Sequence, residues 1–206
     1  SGFNVPVPGR AFLQKQIYEI SVSNPEIGIG FEGGHGPFSW ELACAEEDAV
    51  SGGTARRTGT GSILLTAEGL EAAGPLWDRM DRVTRDDVVD AKGLMNDMSY
   101  MELVSSIYSM YPEMAEGTRD REMYEKYRAE AAVSLVMKRK TSVGRSAEIA
   151  GMAQSDFIDL LYRNRITVFA SSGEDVLESI RRFKAKKSKL VDTIESINRY
   201  VCVSAE

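Results

Sequence analysis

Apolar side chains recur at steps of three and four residues along much of this chain, the spacing that places them on one face of an α-helix. Residues 99–111 show the pattern most clearly. Ser99 and Glu102 stand at the spacing of a capping box, in which the two side chains accept bonds from free backbone N–H groups of the first turn. The pattern therefore predicts a helix capped by Ser99. The inward face predicted for it consists of Leu103, Ile107, Met110 and Tyr111.

The same periodicity predicts several further helices. They cover residues 9–21, 37–50, 67–73, 76–96 and 120–140, with a break in the fourth expected near Asp86 or Gly93. Between residues 55 and 66 the pattern changes to two short strands around a Gly59–Gly61 turn, which is typical of a β-wing. The face of the 37–50 helix expected to be buried consists of Trp40, Leu42, Cys44, Ala45 and Ala49.

A pair of short helices around a glycine turn is predicted at residues 141–163. The first covers residues 142–150 and the second covers residues 154–163, with Ser155 as the expected cap of the second. Gly151 suits the turn because glycine adopts positive φ without strain. This arrangement is typical of a helix-turn-helix, with the second helix in the recognition position. The residues that would hold it together are Ala147, Gly151, Phe157 and Leu160.

The matching positions in this stretch are Ala147–Glu148, Ala150–Gly151–Met152, Phe157, Leu160–Leu161 and Arg165–Ile166. Through them, residues 129–176 resemble a small prokaryotic, antitoxin-like helix-turn-helix family. The resemblance implies a DNA-associated or toxin-neutralising role and no chemistry.

A second resemblance covers residues 9–73, where the predicted order is helix, helix, two-stranded wing, helix. It rests on Leu13-Gln14-Lys15, Gly36-Pro37-Phe38-Ser39, Glu41-Leu42 and Leu65-Thr66-Ala67-Glu68-Gly69. These motifs are similar to those of Panacea (SocA-like) and related winged-helix domains. That class is associated with toxin–antitoxin systems and regulators, so both resemblances imply the same area of function.

The last part of the chain predicts a short edge strand at residues 166–169 and a long helix at residues 173–201. Its apolar positions follow steps of four and three, as in a heptad seam. This helix would either pack on its own chain or pair with a second copy in a homodimer. Cations concentrated at residues 181–189 would form a solvated face, contact phosphates, or dock to an acidic partner.

The fold class predicted is mainly α. It comprises a winged-helix-like domain with a short β-wing at residues 1–74, a helical connector at residues 75–140, and a helix-turn-helix with a long terminal helix at residues 141–206.

Charge is unevenly distributed along a chain whose formal net charge is −6. Residues 134–200 hold 13 Lys and Arg against 8 Asp and Glu. A basic third of this kind favours DNA binding by an antitoxin-like transcriptional regulator. Asp156 and Asp159 would repel phosphates, however, which favours the alternative of a non-catalytic protein–protein module that neutralises a toxin. The residues expected nearest to DNA are Arg56, Arg57, Lys138, Arg139, Lys140, Arg145, Gln154 and Arg163.

Motifs for catalysis are weak. Residues 28–33 match GxGxxG without the strand and helix that a nucleotide site needs. His35 with Cys44 would be a conceivable nucleophile pair, but a structural role for His35 is favoured, and the Asp86–Asp90 run is typical of a solvated helix face. We therefore expect no enzyme activity, no metal and no cofactor.

The two cysteines lie far apart in sequence, and no apolar run is long enough to cross a bilayer. The first residues lack the basic start and apolar stretch of a signal peptide. We expect a cytoplasmic protein without membrane contact, with DNA, a toxin or a second copy as its partner.

Overall fold

The computed structural model describes residues 4–34, 36–116, 118 and 120–166. This part of the chain is mainly helical with one small two-stranded sheet, which confirms the predicted fold class. No helix within it is long and apolar enough to cross a bilayer. Its elements are α1 (Arg10–Ser23), α2 (Trp40–Ser51), β1 (Ala55–Arg57), β2 (Ile63–Leu65), α3 (Ala67–Arg79), α4 (Arg82–Met95), α5 (Tyr100–Met110), α6 (Arg121–Met137), α7 (Val143–Ala150) and α8 (Gln154–Arg163), with short 3-10 turns at Pro25–Ile27 and Pro112–Ala115.

Helix α5 lies at the centre of the core. Leu103, Val104 and Ile107 are fully buried, and α5 packs against α6, which in turn packs against α7. The predicted capping box is present, because the Ser99 backbone N–H donates to Glu102 Oε2 at 2.6 Å and the Glu102 N–H donates to Ser99 Oγ at 3.2 Å. These contacts fix the start of α5 and place its apolar face inside the molecule.

Helix α1 connects the N-terminal elements through buried polar side chains. Gln14 donates to the Ser39 carbonyl at 3.0 Å and accepts from the Ser39 N–H at 2.8 Å, which holds the start of α2. Gln16 donates to Asn96 Oδ1 at 2.7 Å, just after α4. Both side-chain amides form hydrogen bonds in the protein, and these bonds offset the free-energy cost of removing the amides from water.

The β-wing has the predicted form. β1 pairs with β2 in antiparallel register, with Ala55 opposite Leu65 and Arg57 opposite Ile63. Val7 extends the sheet by exchanging two backbone hydrogen bonds with Ile63, at 2.9 and 2.8 Å. The sheet therefore joins the segment before α1 to the region between α2 and α3.

The break in the predicted 76–96 helix was placed wrongly. The chain leaves the helical conformation at Met80, and α4 begins at Arg82, ahead of Asp86 and Gly93. The reason is local, since Asp81 caps α4 by accepting from the Thr84 N–H at 3.0 Å.

The predicted roles of five side chains were also wrong. Trp40 is 66% exposed and Cys44 and Ala45 are exposed, because α2 instead turns Ala43 and Glu46 inward. Met110 is 38% exposed at the end of α5. Ser155 does not cap α8, which begins one residue earlier with Ala153 at the cap position.

Ser1–Ile166 forms one compact unit, and the three-part division of the chain stays a prediction. Three predictions fall on residues outside the described ones. They are the strand at residues 166–169, of which only Ile166 is described, the helix at residues 173–201, and the role of His35.

Candidate helix-turn-helix surface

Helix α8 has the bounds that the sequence predicted, and α7 begins at Val143, one residue later than predicted. Ser142 caps α7 by accepting from the Arg145 N–H at 3.2 Å. Ala147, on α7, and Phe157, on α8, are buried at 2% and 0% exposure, while Leu160 is half-buried. The two helices therefore pack on each other through small and aromatic side chains, as a helix-turn-helix requires.

Gly151 ends α7 in the left-handed conformation, with φ of 70°. Its N–H donates to the Glu148 carbonyl and the Met152 N–H donates to the Ala147 carbonyl, at 3.0 and 3.1 Å. This is a Schellman arrangement, which satisfies carbonyls that the end of a helix leaves free. A β-carbon at position 151 would also lie 2.5 Å from the Arg128 guanidinium. Both the positive φ and the lack of room for a β-carbon therefore favour glycine at this position.

Arg128 ties the turn to α6. Its Nε donates to the Ile149 carbonyl at 2.8 Å and its Nη2 to the Glu148 carbonyl at 3.3 Å. The guanidinium also lies 4.9 Å from the Tyr124 ring centroid. Sequence reasoning missed this residue, because its partners are backbone carbonyls that no motif reveals.

The outward face of α8 is exposed within the part of the chain that the structure describes. Ser155, Asp159 and Tyr162 follow steps of four and three and so form one stripe along the helix. All three are exposed, Tyr162 at 62%. The stripe combines a carboxylate, a hydroxyl and an aromatic ring, with the cation Arg163 four residues after Asp159 at its end. Exposed Gln154, Asp156 and Arg163 flank it.

The cations that follow α6 make contacts within the chain. Lys138 pairs with Glu102 at 2.7 Å and donates to the Asp97 carbonyl at 3.1 Å. Lys140 pairs with Asp97 at 2.8 Å. Arg139 is exposed and has a φ of 57°, a left-handed conformation that is unusual for a residue with a side chain.

The Glu102 carboxylate is 3% exposed and joins α5 to the end of α6. Burial alone would raise its pKa, but hydrogen bonds from Lys138, Ser134 and the Ser99 backbone outweigh that effect. The pKa of Glu102 therefore lies below its ordinary value.

The remaining predicted DNA contacts lie in two other places. Arg145, on α7, pairs with Glu148 at 2.5 Å and donates to Ser109 Oγ at 2.9 Å. On the wing, Arg56 is exposed, while Arg57 pairs with Glu46 and Glu47, both at 2.8 Å. The structure thus distributes the predicted cations over the wing, the end of α6 and α7.

Glu46 is the buried centre of the wing contacts. Its side chain is 1% exposed, and it accepts from Arg10 Nε at 2.6 Å and from Arg57 Nη2 at 2.8 Å. Glu47 pairs with the same two arginines but is 58% exposed. One buried carboxylate on α2 therefore links α1 to β1.

The remaining candidate motifs concern metal binding and the acidic run of α4. Among the described residues, no group of three or more His, Cys, Asp or Glu side chains could hold a metal ion. In the acidic run, Asp86 pairs with Arg82 at 3.5 Å and Asp87 accepts from Asn24 at 2.6 Å.

The described part of the chain is thus a mainly helical protein that carries a helix-turn-helix. Residues 111–185 match the model of UPF0175, an uncharacterised protein family. This match covers α6, α7 and α8. No curated protein and no solved structure shows significant similarity to the chain.

Proposed function

We propose that the protein is an antitoxin-like binding module without catalytic activity, and that α8 recognises a protein partner with a basic surface, such as a toxin. The observation that carries this proposal is the exposed stripe of Ser155, Asp159 and Tyr162. A carboxylate at the centre of the stripe would repel DNA phosphates and attract a cationic side chain. Tyrosine is enriched at protein interfaces because its ring is large, rigid and amphipathic.

The pairing of four of the eight predicted DNA contacts supports the same proposal. Arg57, Lys138, Lys140 and Arg145 all have carboxylate partners within the chain. A phosphate would have to compete with these partners, which lowers the free energy available from binding DNA.

The two family resemblances supply the antitoxin part of the proposal. Antitoxin-like helix-turn-helix proteins and SocA-like winged-helix domains are both associated with toxin neutralisation and regulation. The order of helices and wing at residues 9–73 is compatible with the second resemblance. We therefore place the protein in the cytoplasm of a prokaryote, away from membranes.

The test is affinity capture from the native host with the full chain and two matched charge reversals. Asp159→Lys changes the stripe, whereas Asp78→Lys changes an exposed aspartate of α3. We expect a protein that the wild type and Asp78→Lys retain and Asp159→Lys loses, and direct binding should follow with the purified partner. Equal capture by all three chains would reject α8 as the binding surface.

DNA binding is a second candidate, favoured by the helix-turn-helix itself and by the basic surplus of residues 134–200. In this alternative the protein is a transcriptional regulator, and the terminal helix joins two copies. Titration of labelled upstream and random DNA at two salt concentrations tests it. Affinity that falls steeply with salt and weakens in Gln154→Ala would establish DNA recognition by α8. Absence of binding at low salt would exclude it.

A further inference from the structure

A partly open cavity of about 280 Å³ lies beneath the wing. Its walls come from five places in the chain: the segment before α1, α1 itself, α2, the β1–β2 sheet and Lys92 of α4. Large apolar side chains form most of its lining. They are Val5, Val7, Leu13, Leu42, Ile63, Leu64 and Leu65.

Three alanines create the space. Ala45 and Ala49 are one turn apart on α2, and Ala55 lies on β1. A larger side chain at any of these positions would extend toward the cavity. The cavity is open on one side, since Val5 and Ala45 of its lining are exposed, so a small molecule could enter it from solvent.

The polar groups of the lining already have partners in the protein. The Glu46 carboxylate accepts from Arg10 and Arg57, and the Asn4 amide oxygen accepts from the Leu65 N–H at 3.2 Å. Lys92 also interacts with another group of the protein. An occupant therefore meets apolar surface and engaged polar groups, which favours a neutral molecule and disfavours water.

We propose that this cavity binds a neutral, apolar small molecule of about the size of a two-ring aromatic hydrocarbon. An apolar cavity of about 150 Å³ is known to take benzene, and this one is about twice as large. The inference goes beyond the proposed function and does not depend on α8. Because β1 and β2 form one wall, the occupant would also contact the wing.

The test uses 1-fluoronaphthalene, a neutral two-ring compound, with the full chain. Its fluorine NMR signal should broaden and shift saturably as protein is added, and the protein's melting temperature should rise with the compound. Ala49→Phe fills the cavity and should abolish saturable binding. Ala72→Phe makes the same change on α3, outside the lining, and should bind like the wild type.

Ala45→Leu is a milder filling variant, in case Ala49→Phe does not fold, and circular dichroism with cooperative thermal unfolding checks both. The proposal is overturned if the wild type shows no saturable change up to the solubility of the compound, or if a folded filling variant binds unchanged. Asp159→Lys should bind 1-fluoronaphthalene normally, so failure at α8 and failure at the cavity are distinguishable.

Discussion

A side chain at position 151 would face two obstacles at once. Positive φ disfavours any residue with a β-carbon, and the Arg128 guanidinium occupies the space that the β-carbon needs. We expect Gly151→Ala to lower the free energy of unfolding by about 1–3 kcal/mol. Urea denaturation measures it. Gly93→Ala is the matched control, because Gly93 has no atom within 4 Å of the added carbon and lies inside α4. The control should be neutral or stabilising, and an equal loss in both variants would contradict this explanation.

Arg139 is the opposite case, since a residue with a β-carbon occupies a left-handed position. Lys140 N–H donates to the Leu135 carbonyl at 2.9 Å, so Arg139 stands where a Schellman arrangement usually has glycine. We expect Arg139→Gly to raise the free energy of unfolding by about 1 kcal/mol. Thermal and urea unfolding check it. Arg79→Gly, at the helical end of α3, should instead destabilise. Stabilisation by both would point to charge as the cause.

Single residues also show which parts of the site the sequence could predict. The Gly151 turn and the Ser99–Glu102 box were predictable, because their partners lie within five residues. The roles of Arg128 and Glu46 were not. Arg128 bonds carbonyls about twenty residues away, and Glu46 meets Arg10 from another helix. Such pairings depend on how elements pack and leave no local pattern.

At the level of elements, the start of α5 should respond to acid. Because the folded pKa of Glu102 lies below its unfolded value, the carboxylate stabilises the fold above the unfolded pKa of about 4.3, and this contribution is lost as pH falls through the folded pKa. Glu102→Gln should therefore cost about 1 kcal/mol at pH 7, and the difference from wild type should shrink toward pH 3. Denaturant unfolding at several pH values measures it.

Glu122→Gln is the control for this prediction, because it removes a carboxylate from an exposed position in the first turn of α6. It should change stability little at any pH. A difference for Glu102→Gln that stays constant down to pH 3 would show that shape, and not charge, explains its role.

Elements were predictable where a cap and a periodic face agreed, and α5 is the best example. The boundary between α3 and α4 was missed although Asp81 and Thr84 carry a cap signal. Periodicity continues across that boundary, so the hydrophobic pattern predicted a helix over residues 76–96 and placed its break near Asp86 or Gly93 instead of at Met80. On α2, the apolar Trp40 faces outward because the charge pairs of Glu46 set the rotation of the helix.

At the scale of the whole molecule, Glu46 of α2 joins α1 and β1 through a single buried carboxylate. We expect Glu46→Gln to destabilise the protein by about 1–3 kcal/mol, since the buried arginine contacts lose their charged acceptor. Glu47→Gln is the control, because Glu47 pairs with the same arginines in solvent, and it should have little effect. Urea unfolding followed by tryptophan fluorescence compares the two, and similar losses would argue against burial as the cause.

The contact between Arg128 and the end of α7 bears on how this part of the chain could be transplanted. The carbonyls that Arg128 satisfies belong to the helix-turn-helix, but the arginine belongs to α6. A graft of residues 141–166 alone into another scaffold would remove the Arg128 donor from the Ile149 carbonyl, whereas the Glu148 carbonyl would keep its bond from the Gly151 N–H. A graft that starts at residue 121 would include Arg128 and so keep its hydrogen bonds to the carbonyls of the turn. The match to residues 111–185 includes α6, so it covers both the helix-turn-helix and the arginine that bonds its turn.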